Sequence, residues 1–195
     1  MEIYLIRHPS VNVEQHLFYG HTDVDVTHRF EEEKEDIRRK LDGEVDLQQA
    51  AVYSSPLKRC HALANALAPA VRTDDRLKEL NFGDWEMRSW HGIPSAELDP
   101  WMADFANLNV PNGESFLMLQ RRALEFLNEV LASEHEKAVI FTHAGVIRSL
   151  LCHCLGIPLP NAFRLVIDYA SVSKITHTTT ITHPTTLWKV AYTNR

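Results

Sequence analysis

The chain has 195 residues, 45% of them hydrophobic, and a formal charge of 20 − 26 = −6. That length and apolar content can fill one sizeable core, so one domain over residues 1–195 is expected. The acidic balance leaves no basic footprint for nucleic acid, no stretch approaches the roughly twenty apolar residues of a membrane span, and the first residues enter a strand without a basic leader. Neither nucleic acid nor membrane is therefore expected as a partner, and the expected location is cytoplasmic.

The first element is a strand over 2–7, whose apolar run Ile3-Tyr4-Leu5-Ile6 stops abruptly on Arg7-His8. A continuous apolar run marks a strand buried on both faces, and parallel sheets gather their ligands at such strand ends. An imidazole beside a guanidinium is poorly placed for a metal cation and well placed for a phosphate dianion. A helix is expected over 29–41 and a second short strand over 50–54. Ser54 and Ser55 then read as caps and Pro56 as a first-turn proline of a helix over 56–69. Arg59 falls in its first turn, where free amides and the helix dipole already favour an anion.

Residues 82–111 interrupt the alternation and carry Trp85, Trp90 and Trp101 among Gly, Pro and charged residues. They read either as a packed excursion whose aromatics cover the sheet or as a cap over a substrate. A helix over 115–133 and a strand over 138–142 follow. That strand ends on Thr142-His143 and leads into a helix over 145–155, repeating the arrangement at the N-terminus. Strands over 171–177 and 186–192 complete the chain. The pattern predicts an α/β three-layer sandwich, its central sheet mostly parallel, with helices on both faces.

Cys60, Cys152 and Cys154 are odd in number and include no paired cluster with zinc spacing, so reduced thiols are expected. Among the 11 histidines, His153, His177 and His183 lack partners at ligand spacing. No metal or cofactor is expected.

Four segments, Leu5-Ile6-Arg7-His8, Ser54-Ser55-Pro56-Leu57-Lys58-Arg59, Leu77-Lys78-Glu79-Leu80-Asn81-Phe82-Gly83-Asp84-Trp85-Glu86 and Phe141-Thr142-His143-Ala144-Gly145, resemble the histidine phosphatase superfamily in both content and order. The resemblance covers residues 3 to about 176 and implies a phosphoglycerate mutase-like fold. Where the family usually has glycine after its first histidine, this chain has Pro9, which removes a backbone N–H from the phosphate cradle. Phe18-Tyr19-Gly20-His21-Thr22-Asp23 and Asp168-Tyr169-Ala170-Ser171 are further similar to the α-ribazole phosphatases of cobalamin synthesis.

Metal-free hydrolysis of a phosphomonoester needs a nucleophile, charge neutralisation on the nonbridging oxygens and a proton for the departing alkoxide. His8 is expected to attack phosphorus and form a phosphohistidine that water cleaves. Arg7, Arg59 and His143 are expected around the equatorial oxygens, His143 donating from a protonated ring, and the resemblance assigns these positions the same roles. Glu79 is the expected general acid, with Glu86 and Asp84 as rivals. A carboxyl beside a phosphate dianion holds its proton more readily through like-charge repulsion. The expected activity is a phosphoric monoester hydrolase acting on α-ribazole 5′-phosphate. The alternatives are a phosphoglycerate mutase, a broad small-molecule phosphatase and a catalytically silent phosphate-binding module. The mutase is disfavoured because the chain is shorter than the family's mutases.

Overall fold

The apolar run that opens the chain becomes one of the two middle strands of a six-stranded sheet, in a computed structural model that describes residues 1–179 and 186–195. His183 lies outside the described residues. Strand β1 (Glu2–Arg7) pairs in parallel with β4 (Lys137–Thr142), β4 with β2 (Ala51–Ser54), and β2 with the short β3 (Arg72–Thr73). On its other edge β1 pairs antiparallel with β5 (Val172–Thr179), which pairs antiparallel with β6 (Thr186–Tyr192). The sheet is thus mixed, its four parallel strands continued by an antiparallel pair. The register sets Arg7 beside Thr142 and Ser54 beside Phe141. His8, His143 and Ser55 therefore leave three neighbouring strands at the same end.

Alternation along β1 and β4 divides the core in two. Ile3, Leu5, Ala138 and Ile140 face helices α4 (Phe116–Leu131) and α5 (Ala144–Leu155). Tyr4, Ile6, Val139 and Phe141 face α1 (Phe30–Leu41) and α2 (Lys58–Leu67). Each fully buried Ile or Leu on these faces contributes about 1.5–3 kcal/mol of burial energy. Helix α4 buries Leu119, Ala123, Phe126, Leu127 and Val130 at helical spacing, and the Ser115 side chain caps it by accepting from the Met118 N–H.

Local details differ from the sequence reading at α2 and at residues 95–103. Helix α2 begins at Lys58, with Leu57 as its N-cap and no side-chain cap, because the Ser54 hydroxyl donates to the Ser55 carbonyl and Ser55 Oγ is held by His143. Pro56 precedes the helix, while Arg59 keeps its place in the first turn. Residues 95–103, read without regular structure, form a helix, α3 (Ser95–Ala103). The aromatics of 82–111 turn inward: Trp85 and Trp101 are buried in the main core, and Trp90 stacks on Phe18 with ring centroids 5.0 Å apart. No helix among the described residues is long and apolar enough to cross a membrane.

Candidate active site

The strand-end residues meet at one end of the sheet. His8 is 1% exposed, and Arg59 and His143 are fully buried behind it, the two imidazole rings lying 5.1 Å apart edge to face. His8 Nδ1 lies 2.7 Å from the Pro9 carbonyl, so Nδ1–H donates and Nε2 keeps its lone pair. This bond uses the carbonyl that proline retains rather than the N–H it lacks. The His8 pKa lies well below the ordinary imidazole value, through burial first and then the Arg59 and Arg7 charges. The ring is neutral.

His143 is neutral for the same reasons, burial first and Arg59 next. Arg59 Nε donates to His143 Nδ1 at 3.3 Å, which assigns the ring proton to Nε2, 2.8 Å from Ser55 Oγ. Cys60 Sγ lies 3.4 Å from the same Nε2, and burial pushes its thiol pKa up, so it adds no charge. Arg59 also donates through Nη1 to the Thr22 carbonyl at 2.9 Å and through Nη2 to the Gly20 carbonyl at 2.7 Å.

A cavity of roughly 220 Å³ opens beside His8. Arg7, His8 and Glu79 line it together with Phe18, Phe82, Phe116 and Phe163, whereas Arg59 and His143 lie outside its lining. Arg7 donates through Nη1 to the Ile167 carbonyl at 2.6 Å and stacks on Tyr169 at 3.8 Å. Its Nε is buried and has no partner among the described residues. The Glu79 carboxylate accepts from the Leu80 N–H at 3.0 Å and from the Gly145 N–H, at the start of α5, at 3.1 Å.

The rivals of Glu79 stand elsewhere. Glu86 is engaged by the backbone amides of residues 20–22, and Asp84 accepts from the Asn112 side chain; neither lines the cavity. Of residues 82–111, the cavity meets Phe82 alone. His153 and His177 pack against Trp188, and no group of three or more His, Cys, Asp or Glu among the described residues is placed around a common point.

Some residues at or beside the cavity were given no site role by the sequence reading. Tyr19 and Tyr169 join their hydroxyls at 2.5 Å, with the Tyr169 ring 5.5 Å from His8 and the Tyr19 ring 5.5 Å from the Arg59 guanidinium. Arg148 also lines the cavity, donating through Nε to the Leu165 carbonyl and lying over Phe163. Its signal was helical spacing: four residues beyond Ala144, it shares a face of α5 with the strand-end residues.

Comparisons with known proteins agree with this fold. Over 182 residues, covering 89% of this chain and 88% of the relative, the chain is 28% identical to a candidate phosphoserine phosphatase of Hydrogenobacter thermophilus. It is 26% identical over 186 residues to the adenosylcobalamin/alpha-ribazole phosphatase of Escherichia coli, covering 90% of this chain and 89% of the relative. The crystal structure of the alpha-ribazole phosphatase from Shigella flexneri shares the fold with a TM-score of 0.84 at 24% identity, over 100% of this chain and 96% of that one. The family model for the histidine phosphatase superfamily, branch 1, matches residues 3–186. With two strand-end histidines, their arginines and a carboxylate gathered at one end of a mixed sheet, the chain belongs to branch 1 of the histidine phosphatase superfamily.

Proposed function

We propose that the chain is a metal-independent phosphomonoesterase acting through a phosphohistidine at His8, and that it hydrolyses α-ribazole 5′-phosphate to α-ribazole. The observation that carries the reading is the pairing of His8 with Arg7. A neutral imidazole, its Nε2 lone pair fixed by the Pro9 bond, adjoins a guanidinium whose buried Nε–H lacks an acceptor among the described residues. A buried donor left unpaired costs about 1–3 kcal/mol, so this end of the cavity favours an anionic oxygen.

In the proposed reaction His8 Nε2 attacks phosphorus while the ester oxygen departs in line. Glu79, positioned by two amides, protonates that oxygen and then takes a proton from the water that cleaves the phosphohistidine. Arg7 holds the nonbridging oxygens. Arg59 has two N–H groups beyond its three bonds to offer them, and its charge adds to burial in lowering the His8 pKa. His143 orients Arg59 through the bond to Nδ1. The phenylalanine walls suit a flat aromatic leaving group, which supports α-ribazole phosphate, as does the relative named for that activity.

One observation favours a second reading. Among the described residues Arg148 has no carboxylate within ion-pairing distance, yet it lines the leaving-group cavity. A cation there suits a phosphomonoester whose leaving group carries a carboxylate, such as phosphoserine, the compound named in another relative.

The test is phosphate release from α-ribazole 5′-phosphate, O-phosphoserine, 3-phosphoglycerate and p-nitrophenyl phosphate, alongside an assay of phosphoglycerate interconversion. The highest kcat/KM is expected on α-ribazole 5′-phosphate, without mutase turnover. A preference for phosphoserine would select the second reading, and interconversion without hydrolysis would overturn both.

A further inference from the structure

Glu86 makes no ion pair among the described residues, yet its half-buried carboxylate accepts more hydrogen bonds than Glu79 does. The donors are the backbone N–H groups of Gly20, His21, Thr22 and Phe82, at 2.9 to 3.1 Å, and the Thr22 hydroxyl at 2.6 Å. Burial opposes the charged form, but the Thr22 hydroxyl and the amides of residues 20–22 outweigh it, and the net pKa is lowered. A carboxylate held by three consecutive amides fixes the path of that loop.

The other side of the same loop holds Arg59. The peptide unit between Gly20 and His21 is hydrogen-bonded at both ends: its N–H donates to Glu86 Oε1 at 2.9 Å, and its carbonyl accepts from Arg59 Nη2 at 2.7 Å. Its dipole thus runs from guanidinium to carboxylate, so each bond polarises and strengthens the other. The Thr22 carbonyl gives Arg59 Nη1 a second acceptor at 2.9 Å. The loop has no slack here, since a Cβ at Gly20 would lie 1.7 Å from the Leu80 carbonyl oxygen.

We infer that Glu86 is a positioning residue for the phosphate site, acting on Arg59 through the peptide units of residues 20–22. The inference rests on the reading of Arg59 as part of a phosphate clamp. Glu86→Gln removes the charge and places a donor where only acceptors fit, so the loop carbonyls and the guanidinium they aim lose their register.

The experiment is a set of double-mutant cycles read by inhibition with orthovanadate, an oxyanion probe that does not depend on the leaving group. Wild type, Glu86→Gln, Arg59→Ala and the double variant form one cycle, and Arg7→Ala replaces Arg59→Ala in the second. Glu86→Gln is expected to weaken vanadate inhibition about ten-fold or more, in line with loss of a charged hydrogen-bond network. The effect should fall below about two-fold once Arg59 is alanine and persist in the Arg7→Ala background. Thr22→Val, which removes one donor and keeps the carboxylate, should show a smaller effect with the same dependence on Arg59, and it serves if Glu86→Gln does not fold. Loss of affinity should appear in KM for alkyl and p-nitrophenyl phosphates alike. Equal effects in both arginine backgrounds, or a kcat defect confined to the alkyl phosphate, would overturn the inference. Failure of the wild type to respond to vanadate would overturn the phosphate-site reading itself and this inference with it.

Discussion

Glu79 occupies space that any side chain at position 145 would need: a Cβ on Gly145 would lie 2.2 Å from Glu79 Oε1, while the Gly145 N–H donates to Oε2 at 3.1 Å. The clash is with the tip of a flexible side chain, so Gly145→Ala should fold, and alanine favours the helix by about 0.5–1 kcal/mol. The carboxylate, however, must move. Gly145→Ala and Glu79→Gln should therefore share one phenotype, in which hydrolysis of an alkyl phosphate falls sharply while p-nitrophenyl phosphate, whose phenolate leaves unaided, is spared. Steady-state rates on the two substrates check this, and equal slowing of both would make Glu79 a positioning group rather than an acid.

His8→Ala should abolish turnover. With wild type, brief exposure to substrate labelled on phosphorus should leave acid-labile, alkali-stable label on the protein, and the variant should carry none. Retained turnover in the variant would exclude a covalent step at this residue.

Both buried imidazoles link stability to pH. His8 and His143 titrate well below the ordinary value, through burial and then the Arg59 charge, whereas the unfolded chain takes up these protons near pH ~6.5. Below that pH the unfolded state binds more protons, so stability is full above about 6.5 and declines as pH falls toward the folded-state values. Urea unfolding from pH 8 to 5 should show the decline, and His143→Gln should flatten it.

Arg122 bridges helix α4 to the segment carrying Glu79. It donates to the carbonyls of Arg76, Lys78 and Glu79 at 2.6 to 2.8 Å and pairs with Glu114 at 2.8 Å, the pair about 15% exposed. Arg122→Met leaves those acceptors without their donor and should cost about 3 kcal/mol, at the low end for a broken buried pair because some solvent reaches it. Denaturant midpoints measure the cost, and the alkyl-phosphate rate should fall more than the p-nitrophenyl rate as Glu79 loosens.

Strands β1 and β4 were legible because they are buried on both faces and read as unbroken apolar runs ending on Arg7-His8 and Thr142-His143, whereas the exposed two-residue β3 carried no such signal. Helix α4 showed in its helical spacing. Helix α3 was hidden by Pro100 and by aromatics that serve the main core rather than one amphipathic stripe. His8, Arg7 and Glu79 were singled out by motif, whereas the lowered pKa of His143 follows from burial and from Arg59 in the first turn of α2. The anchoring of Glu86 was not legible because its partners, residues 20–22, lie more than sixty positions away. The hydroxyl contact of Tyr19 with Tyr169 spans 150 positions and leaves no local trace.

The bridge made by Arg122 also divides the labour of the site. Glu79 is held from behind by α4, and its segment is held again where the Thr142 hydroxyl donates to the Leu77 carbonyl at 2.8 Å. Leu17, Phe82 and Phe163 line the cavity from outside the sheet and the main helices, while Phe116 and Arg148 line it from α4 and α5. On the proposed reading, Leu17, Phe82 and Phe163 can therefore be exchanged with less disturbance of His8, Arg7 and Glu79 than Phe116 or Arg148 can. Such a scaffold can change its diet while keeping its teeth, in keeping with one fold shared by relatives named for phosphoserine and for α-ribazole phosphate.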